Sequence, residues 1–254
     1  MRRWMAFLAL FFVLSTVVQA EKITVFAASD LKFALDSVRD EFLKKNPNCE
    51  MEMIYGSSGK GMHQIQNGAP YHLFFSANME FVAKMYKDGD IVTEPKMYAL
   101  GRLVLWSKYK DFRPEAGFEN LKEPWVRKIA IANPTHAPYG EKAKQTLEQL
   151  GLYEKLQQKL VLGENISQTA GFISSGAADV GIIALSLALA PNIAESSQKG
   201  YFLIDAQLHA PLLQGYGITK KGQNSAEAQR FYDFMQTKEA KEMMKKYGFT
   251  TEEK

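Results

Sequence analysis

Four short turns hold the residues of this chain best placed to do chemistry: Ala27-Ala28-Ser29, Gly56-Ser57-Ser58-Gly59-Lys60-Gly61, Asn133-Pro134-Thr135-His136-Ala137-Pro138-Tyr139-Gly140 and Glu164-Asn165-Ile166-Ser167. Each follows an apolar run and opens into a helical pattern. First-turn amides have no acceptor within their helix and sit at its positive end. A hydroxyl there therefore either caps the turn or joins those amides in holding an anion. One such turn is an ordinary cap. Four of them, after Ala27, Tyr55, Ala132 and Leu162 and divided between two α/β units, form a more specific constellation and point to a bound small oxyanion.

Other chemistries fit less well. Ser58 lies in a glycine-rich turn, but Gly56-Ser57-Ser58-Gly59-Lys60 lacks the second glycine of a nucleophile elbow and no clear histidine partner follows. The same turn is not a nucleotide-binding loop, because Ile54 stands where the first glycine belongs and Gly61 where Ser or Thr must follow the lysine. His63, His72, His136 and His209 are scattered, without the spacing of a metal site, and read as surface or satisfied polar residues. Trp106, Trp125 and Phe231 read as core.

The elements that position these turns alternate. A strand from Lys22 runs through Ile23, Val25 and Phe26 into a helix with Leu31, Ala34, Leu35, Val38 and Phe42 at helical spacing, stopped at Lys44-Lys45-Asn46-Pro47. Cys49 to Tyr55 reads as a second strand, Leu73 to Ala77 as a third, Met79 to Lys87 as a helix and Gly101 to Ser107 as a strand. The charged, aromatic stretch Lys108 to Glu123 reads as a surface connection, with a domain change near it. The pattern then restarts with strands at Lys128–Ala132, Leu160–Leu162 and Asp179–Ile183. Pro191 to Gly200 is loop-like, Tyr201–Asp205 and Leu212–Thr219 are strands, and two helices close the chain between Ser225 and Tyr247. Such alternation predicts an α/β protein with parallel sheets covered on both faces and its ligand beyond the carboxyl ends of the strands.

The first twenty residues read as a cleavable export signal. Arg2 and Arg3 precede the apolar core Met5–Val18, and Val18-Gln19-Ala20 is a small-residue cleavage site. The apolar core is short for a membrane span, and no cysteine follows the cleavage site to carry a lipid. Removal of 20 residues from 254 leaves a mature chain of 234 and takes the formal charge from +3 to +1. So balanced a chain argues against nucleic acid or an anionic membrane as a partner. The lone cysteine, Cys49, cannot form an internal disulfide and reads as a small buried residue.

Taken in order, Val25-Phe-Ala-Ala-Ser29, Gly68-Ala-Pro70 with Leu73-Phe-Phe-Ser-Ala77, Asn133 to Gly140, Val180-Gly-Ile-Ile183 and Lys246-Tyr-Gly-Phe249 resemble the periplasmic molybdate-binding proteins of ABC importers, across essentially the whole mature chain. The resemblance implies a two-lobed periplasmic-binding-protein fold of type II, each lobe a mostly parallel sheet flanked by helices. Residues 21–102 with 205–254 would form one lobe and 103–204 the other. It implies a non-enzymatic, monomeric protein that needs no cofactor, captures molybdate or tungstate in the interlobe cleft, and delivers it to a membrane permease. Sulfate or another anion is the alternative cargo, and an exported serine hydrolase using Ser58 the other class. Carried over by position, Ser29 and Ser58 offer hydroxyls and amides, and Tyr139 and Ile166 offer amides. No side chain ligates the metal itself. The family's remaining contact, a tyrosine hydroxyl, falls at Ala184, whose side chain cannot donate. Ser186, the Tyr139 hydroxyl and the Ala184 amide are candidate substitutes. His72 replaces the family's aspartate, and Lys60 lies near enough in the chain to add charge.

Overall fold

A computed structural model describes residues 21–195 and 200–250. The expected export signal lies outside the described residues. The chain begins with β1 (Glu21–Ala28), a 3-10 turn (Ser29–Leu31) and α1 (Lys32–Lys45), then β2 (Cys49–Gly56), α2 (Ser58–Gln66), β3 (Leu73–Ser76), α3 (Met79–Lys87) and β4 (Lys96–Gly101). Next come β5 (Leu103–Trp106), β6 (Ile129–Ala132), α4 (Pro138–Gln149), α5 (Tyr153–Leu156), β7 (Leu160–Gly163), α6 (Ile166–Ser175) and β8 (Val180–Ala184). The chain closes with α7 (Leu185–Ala188), α8 (Pro191–Ala194), β9 (Tyr201–Leu203), β10 (Leu212–Ile218), α9 (Ala226–Phe234) and α10 (Lys238–Lys246).

The strands form two five-stranded sheets, ordered β2-β1-β3-β10-β4 and β7-β6-β8-β5-β9. Each contains one reversed strand: β10 is antiparallel to β3 and β4, and β5 to β8 and β9. The reversal follows from the route of the chain. β4 ends at the edge facing the other sheet, so the strand that continues beyond it must start at that edge and run away, against its neighbours. The return passage imposes the same direction on β10.

Three sequence readings change here. The run Gly101 to Ser107 is not one strand: it divides at Arg102, where the chain leaves the first sheet for the second. The stretch Lys108 to Glu123 is not a bare surface connection. Phe112 and Leu121 are buried in the core of the second sheet, and Pro114–Lys122 is a kinked 3-10 segment. Part of the loop-like stretch 191–200 is also helical, as α8.

Both faces of the first sheet are covered. Ile23, Val25 and Ala27 of β1 pack with Leu35, Val38 and Phe42 of α1 and with Phe231 and Met244 of the closing helices. On the opposite face Phe26 and Phe74 meet Met62 and Ile65 of α2 and Val82 and Met85 of α3. At about 1.5–3 kcal/mol for each fully buried large side chain, these faces fix the strand register. That register decides where the turns lie. Ala28 is level with Gly56 and Ala27 with Phe75, so β1, β2 and β3 end together. In the second sheet Ala132 is level with Gly163, so the turns opening α4 and α6 lie side by side.

Candidate functional site

On the first-sheet side the strand ends present two starts. Ser29 opens the 3-10 turn that continues as α1, and Ser58 opens α2 after the extended cap residue Ser57. In the first position of a helix neither amide has an acceptor inside its own helix. Ser58 is fully buried, and its hydroxyl accepts from the Ala77 amide at 2.9 Å, which holds the turn after β3 against α2.

On the second-sheet side α4 begins with Pro138, which has no N–H, so Tyr139 supplies the first amide of that helix. Gly140 lets α4 start directly on the end of β6: a Cβ there would meet the Ala132 carbonyl oxygen at 2.1 Å. α6 begins at Ile166 after Asn165, whose side chain caps the turn by accepting from the Gln168 amide at 3.0 Å.

The two pairs of starts face one another. Ser29, Ser58, Tyr139 and Ile166 line one small cavity together with Asp30, between walls of Ala28, Ala77 and Ala137. Small walls let the backbone amides approach whatever fills the space. The hydroxyl of Ser29 already spans the cleft, donating to Asn165 Oδ1 at 3.1 Å and accepting from the Ser167 amide at 3.3 Å. Ser167 Oγ returns a bond to the Ser29 carbonyl at 2.7 Å.

Ala184 stands apart from this group. It ends β8, is level with Leu103 of β5, and is not among the residues lining the cavity. The side chains considered as substitute donors are engaged elsewhere. Ser186 Oγ donates to the Asp30 carbonyl at 2.8 Å, and the Tyr139 hydroxyl accepts from Gln214 Nε2 at 2.9 Å.

A rim of contacts closes the cleft. The Gly59 amide donates to the His136 carbonyl at 3.0 Å, and Ser57 Oγ lies 2.9 Å from His136 Nδ1. Lys60 forms an ion pair with Glu164, so this lysine bridges the cleft rather than entering the cavity. Glu164 also lies 3.8 Å from His136 Nε2. Ser57, His136 and Glu164 thus resemble a catalytic triad in composition, but 3.8 Å is not the hydrogen bond that orients a catalytic imidazole, and the carboxylate is shared with Lys60. Burial holds His136 below the usual imidazole range, as a neutral ring within the rim. Ser58, the residue considered as a nucleophile, has no hydrogen bond to a histidine in this arrangement; its hydroxyl serves Ala77.

Three residues of this region escaped the sequence reading. Asn165 stands in the fourth turn, but nothing in the sequence marks it as a partner of Ser29 across the cleft. Asp30, 1% exposed, is an acidic residue in a first helical turn, a position where such a residue ordinarily only complements the helix dipole. Its carboxylate accepts from Gln214 Nε2 at 3.1 Å, and burial pushes it up to about 6. Gln214, fully buried in β10, carried one signal: a polar residue inside an apolar strand pattern.

The remaining singled-out residues lie elsewhere. His72 sits at the sheet, where its Nδ1 accepts from the Thr24 amide at 3.0 Å. Cys49 is buried, and desolvation pushes its thiol up to about 12.

The geometry can therefore hold a compact anion through neutral donors in a closing cleft. A family model described as bacterial extracellular solute-binding protein matches residues 23–250. The chain is 32% identical to the molybdate-binding protein ModA of Azotobacter vinelandii over 93% of this chain and 92% of that one. It is 35% identical to ModA of Rhodobacter capsulatus over 78% and 76% respectively. A solved structure titled as the Azotobacter vinelandii periplasmic molybdate-binding protein superposes with a TM-score of 0.83 at 32% identity, covering 91% of this chain and all of that one.

Proposed function

Because the chain belongs to the bacterial extracellular solute-binding proteins, non-enzymatic partners of ABC importers, we propose that it captures molybdate or tungstate and presents it to a membrane permease. The observation that carries the ligand class is the meeting of four helix starts, at Ser29, Ser58, Tyr139 and Ile166, around one cavity. Similarity to molybdate-binding relatives along nearly the whole chain supports the choice among oxyanions.

Hydrogen bonds to a charged acceptor are each worth about 1.5 to 3 kcal/mol. Five to seven would give a gross total of roughly 8 to 20 kcal/mol, from which association and closure subtract several, leaving micromolar to nanomolar affinity. Fixed donors also measure size: molybdate and tungstate have nearly equal radii and compete, whereas the smaller sulfate reaches some donors poorly. We read residues 21–102 with 205–254 as one lobe and 103–204 as the other, hinged where the chain crosses twice between the sheets. The signal-like start at 1–20 supports export to the periplasm with cleavage after Ala20, and the protein acts as a monomer.

A thermal-shift titration tests the assignment. Molybdate or tungstate at about a thousand times its dissociation constant adds about 4 kcal/mol of stability. No shift with either, and a clear shift with sulfate or phosphate, would overturn the ligand while leaving the family unchanged.

A further inference from the structure

Asp30 lines the cavity beside the four helix starts, and its presence there is at odds with a site for anions. An ionised carboxylate only accepts hydrogen bonds, and so does a fully deprotonated oxyanion. Facing each other in a closed cleft, the two repel and share no hydrogen. Of the two carboxyl oxygens, Oδ2 accepts from Gln214 Nε2 at 3.1 Å and the Tyr139 hydroxyl also donates to the carboxyl, while Oδ1 is buried with no hydrogen-bond partner.

The groups around Asp30 offer no cation to neutralise it. Tyr139 of α4 and Tyr98 of β4 face it with hydroxyls that burial keeps protonated, both well above the usual phenol range. Gln214 of β10 is neutral, and Ser186 of α7 reaches only the Asp30 backbone carbonyl. Ile166 of α6, across the cavity, brings an amide but no charge. Neutralisation therefore has to come from a proton.

We propose that capture is proton-coupled: a fully deprotonated oxyanion binds together with one proton, carried by Asp30 Oδ1 as a hydrogen bond to an oxyanion oxygen. The inference rests on the oxyanion reading of the cavity. The balance is simple, with one proton moving from solvent to the carboxylate, no covalent bond changing and no electron transferred. A monoprotonated oxyanion such as hydrogen phosphate brings its own proton to the same oxygen and takes up none from solvent. Asp30 thus sets how affinity for each class depends on pH.

The sign follows from burial. In the empty site the carboxyl already loses its proton only near about 6. An adjacent dianion raises that value further, so proton uptake accompanies binding above it. Affinity for molybdate then falls about tenfold per pH unit above that point, making it about 100-fold weaker near pH 8 than at the acid limit.

The test is isothermal titration of the chain with sodium molybdate at about pH 8, in two buffers of different ionisation enthalpy, repeated at lower pH. Expected are about one proton taken up per molybdate in the wild type, and no uptake with a pH-independent affinity in Asp30→Asn. Molybdate binding with no proton uptake and a flat pH profile in the wild type overturns the inference and leaves the ligand assignment standing. No binding of molybdate or tungstate at any pH overturns the assignment, and the inference with it. Because the proton count is read on the wild type, a variant that failed to fold would not remove the test.

Discussion

Gly59→Ala separates closure of the cleft from folding of its halves. Gly59 lies in the first turn of α2, and a Cβ built there meets the His136 carbonyl oxygen at 2.6 Å and the His136 Cα and Cβ at 3.2 Å, all across the cleft. Ordinary van der Waals contact begins at 3.4 Å, so the two sides must part by about 0.8 Å. The Gly59–His136 bond at 3.0 Å and the Ser57–His136 bond at 2.9 Å then stretch beyond hydrogen-bonding distance. At about 0.5–1.5 kcal/mol each, their loss weakens the ligand-bound closed state by about 1–3 kcal/mol, or roughly 5- to 150-fold in Kd. Within its own helix alanine is favoured over glycine by up to about 1 kcal/mol, so the unliganded protein loses no stability where the halves are free to part. Calorimetric titration measures the affinity, and small-angle scattering with saturating oxyanion reports whether the particle contracts less than the wild type. Wild-type affinity together with wild-type contraction would refute the reasoning, as would a fall of several degrees in the unliganded Tm.

Two further outcomes follow from single atoms. Ile166→Pro deletes the amide at the start of α6, where proline suits the helix and the extended backbone of Asn165 already suits a following proline. Loss of one charge-assisted bond weakens oxyanion binding about 10- to 150-fold, while Ile166→Val, which keeps the amide, stays within a few-fold; equal titration curves for the two variants would rule out an amide role. At His72, burial holds the imidazole below its usual value of 6.5. The unfolded chain therefore binds that proton more readily, and the stability contributed by neutral His72 is complete above about 6.5 and is lost as pH falls through the lower folded-state value. His72→Asn keeps an acceptor for the Thr24 amide without a titrating group, so its Tm should fall less than the wild type's between about pH 7.5 and about pH 5. An equal fall would place the sensitivity elsewhere.

What could be read from the sequence was local. The turn at Ala28-Ser29 shows itself because the strand before it and the helix after it have different periods, and the same contrast marks Ser58, Tyr139 and Ile166. β4 escaped because Lys96-Met-Tyr-Ala-Leu-Gly101 has no clean alternation and its strand partner is the distant β10, whose Leu212 lies level with Gly101. The change of sheet at Arg102 was hidden because the apolar residues on both sides read as one strand. Asp30 is the sharpest case. Its neighbours in sequence make it an ordinary first-turn acid, and only Gln214, 184 positions away, and Tyr139 make it a buried carboxyl in the cavity. Sequence spacing carries no trace of such a contact.

The reversed strand β10 also fixes an order of assembly. It lies between β3 and β4, so until residues beyond 212 exist β4 has no place in the first sheet and β3 keeps an open edge. The second sheet needs nothing past Leu203. A chain emerging from its N-terminus therefore finishes its middle before its beginning. Its first sheet stays open along β3 until β10 is made.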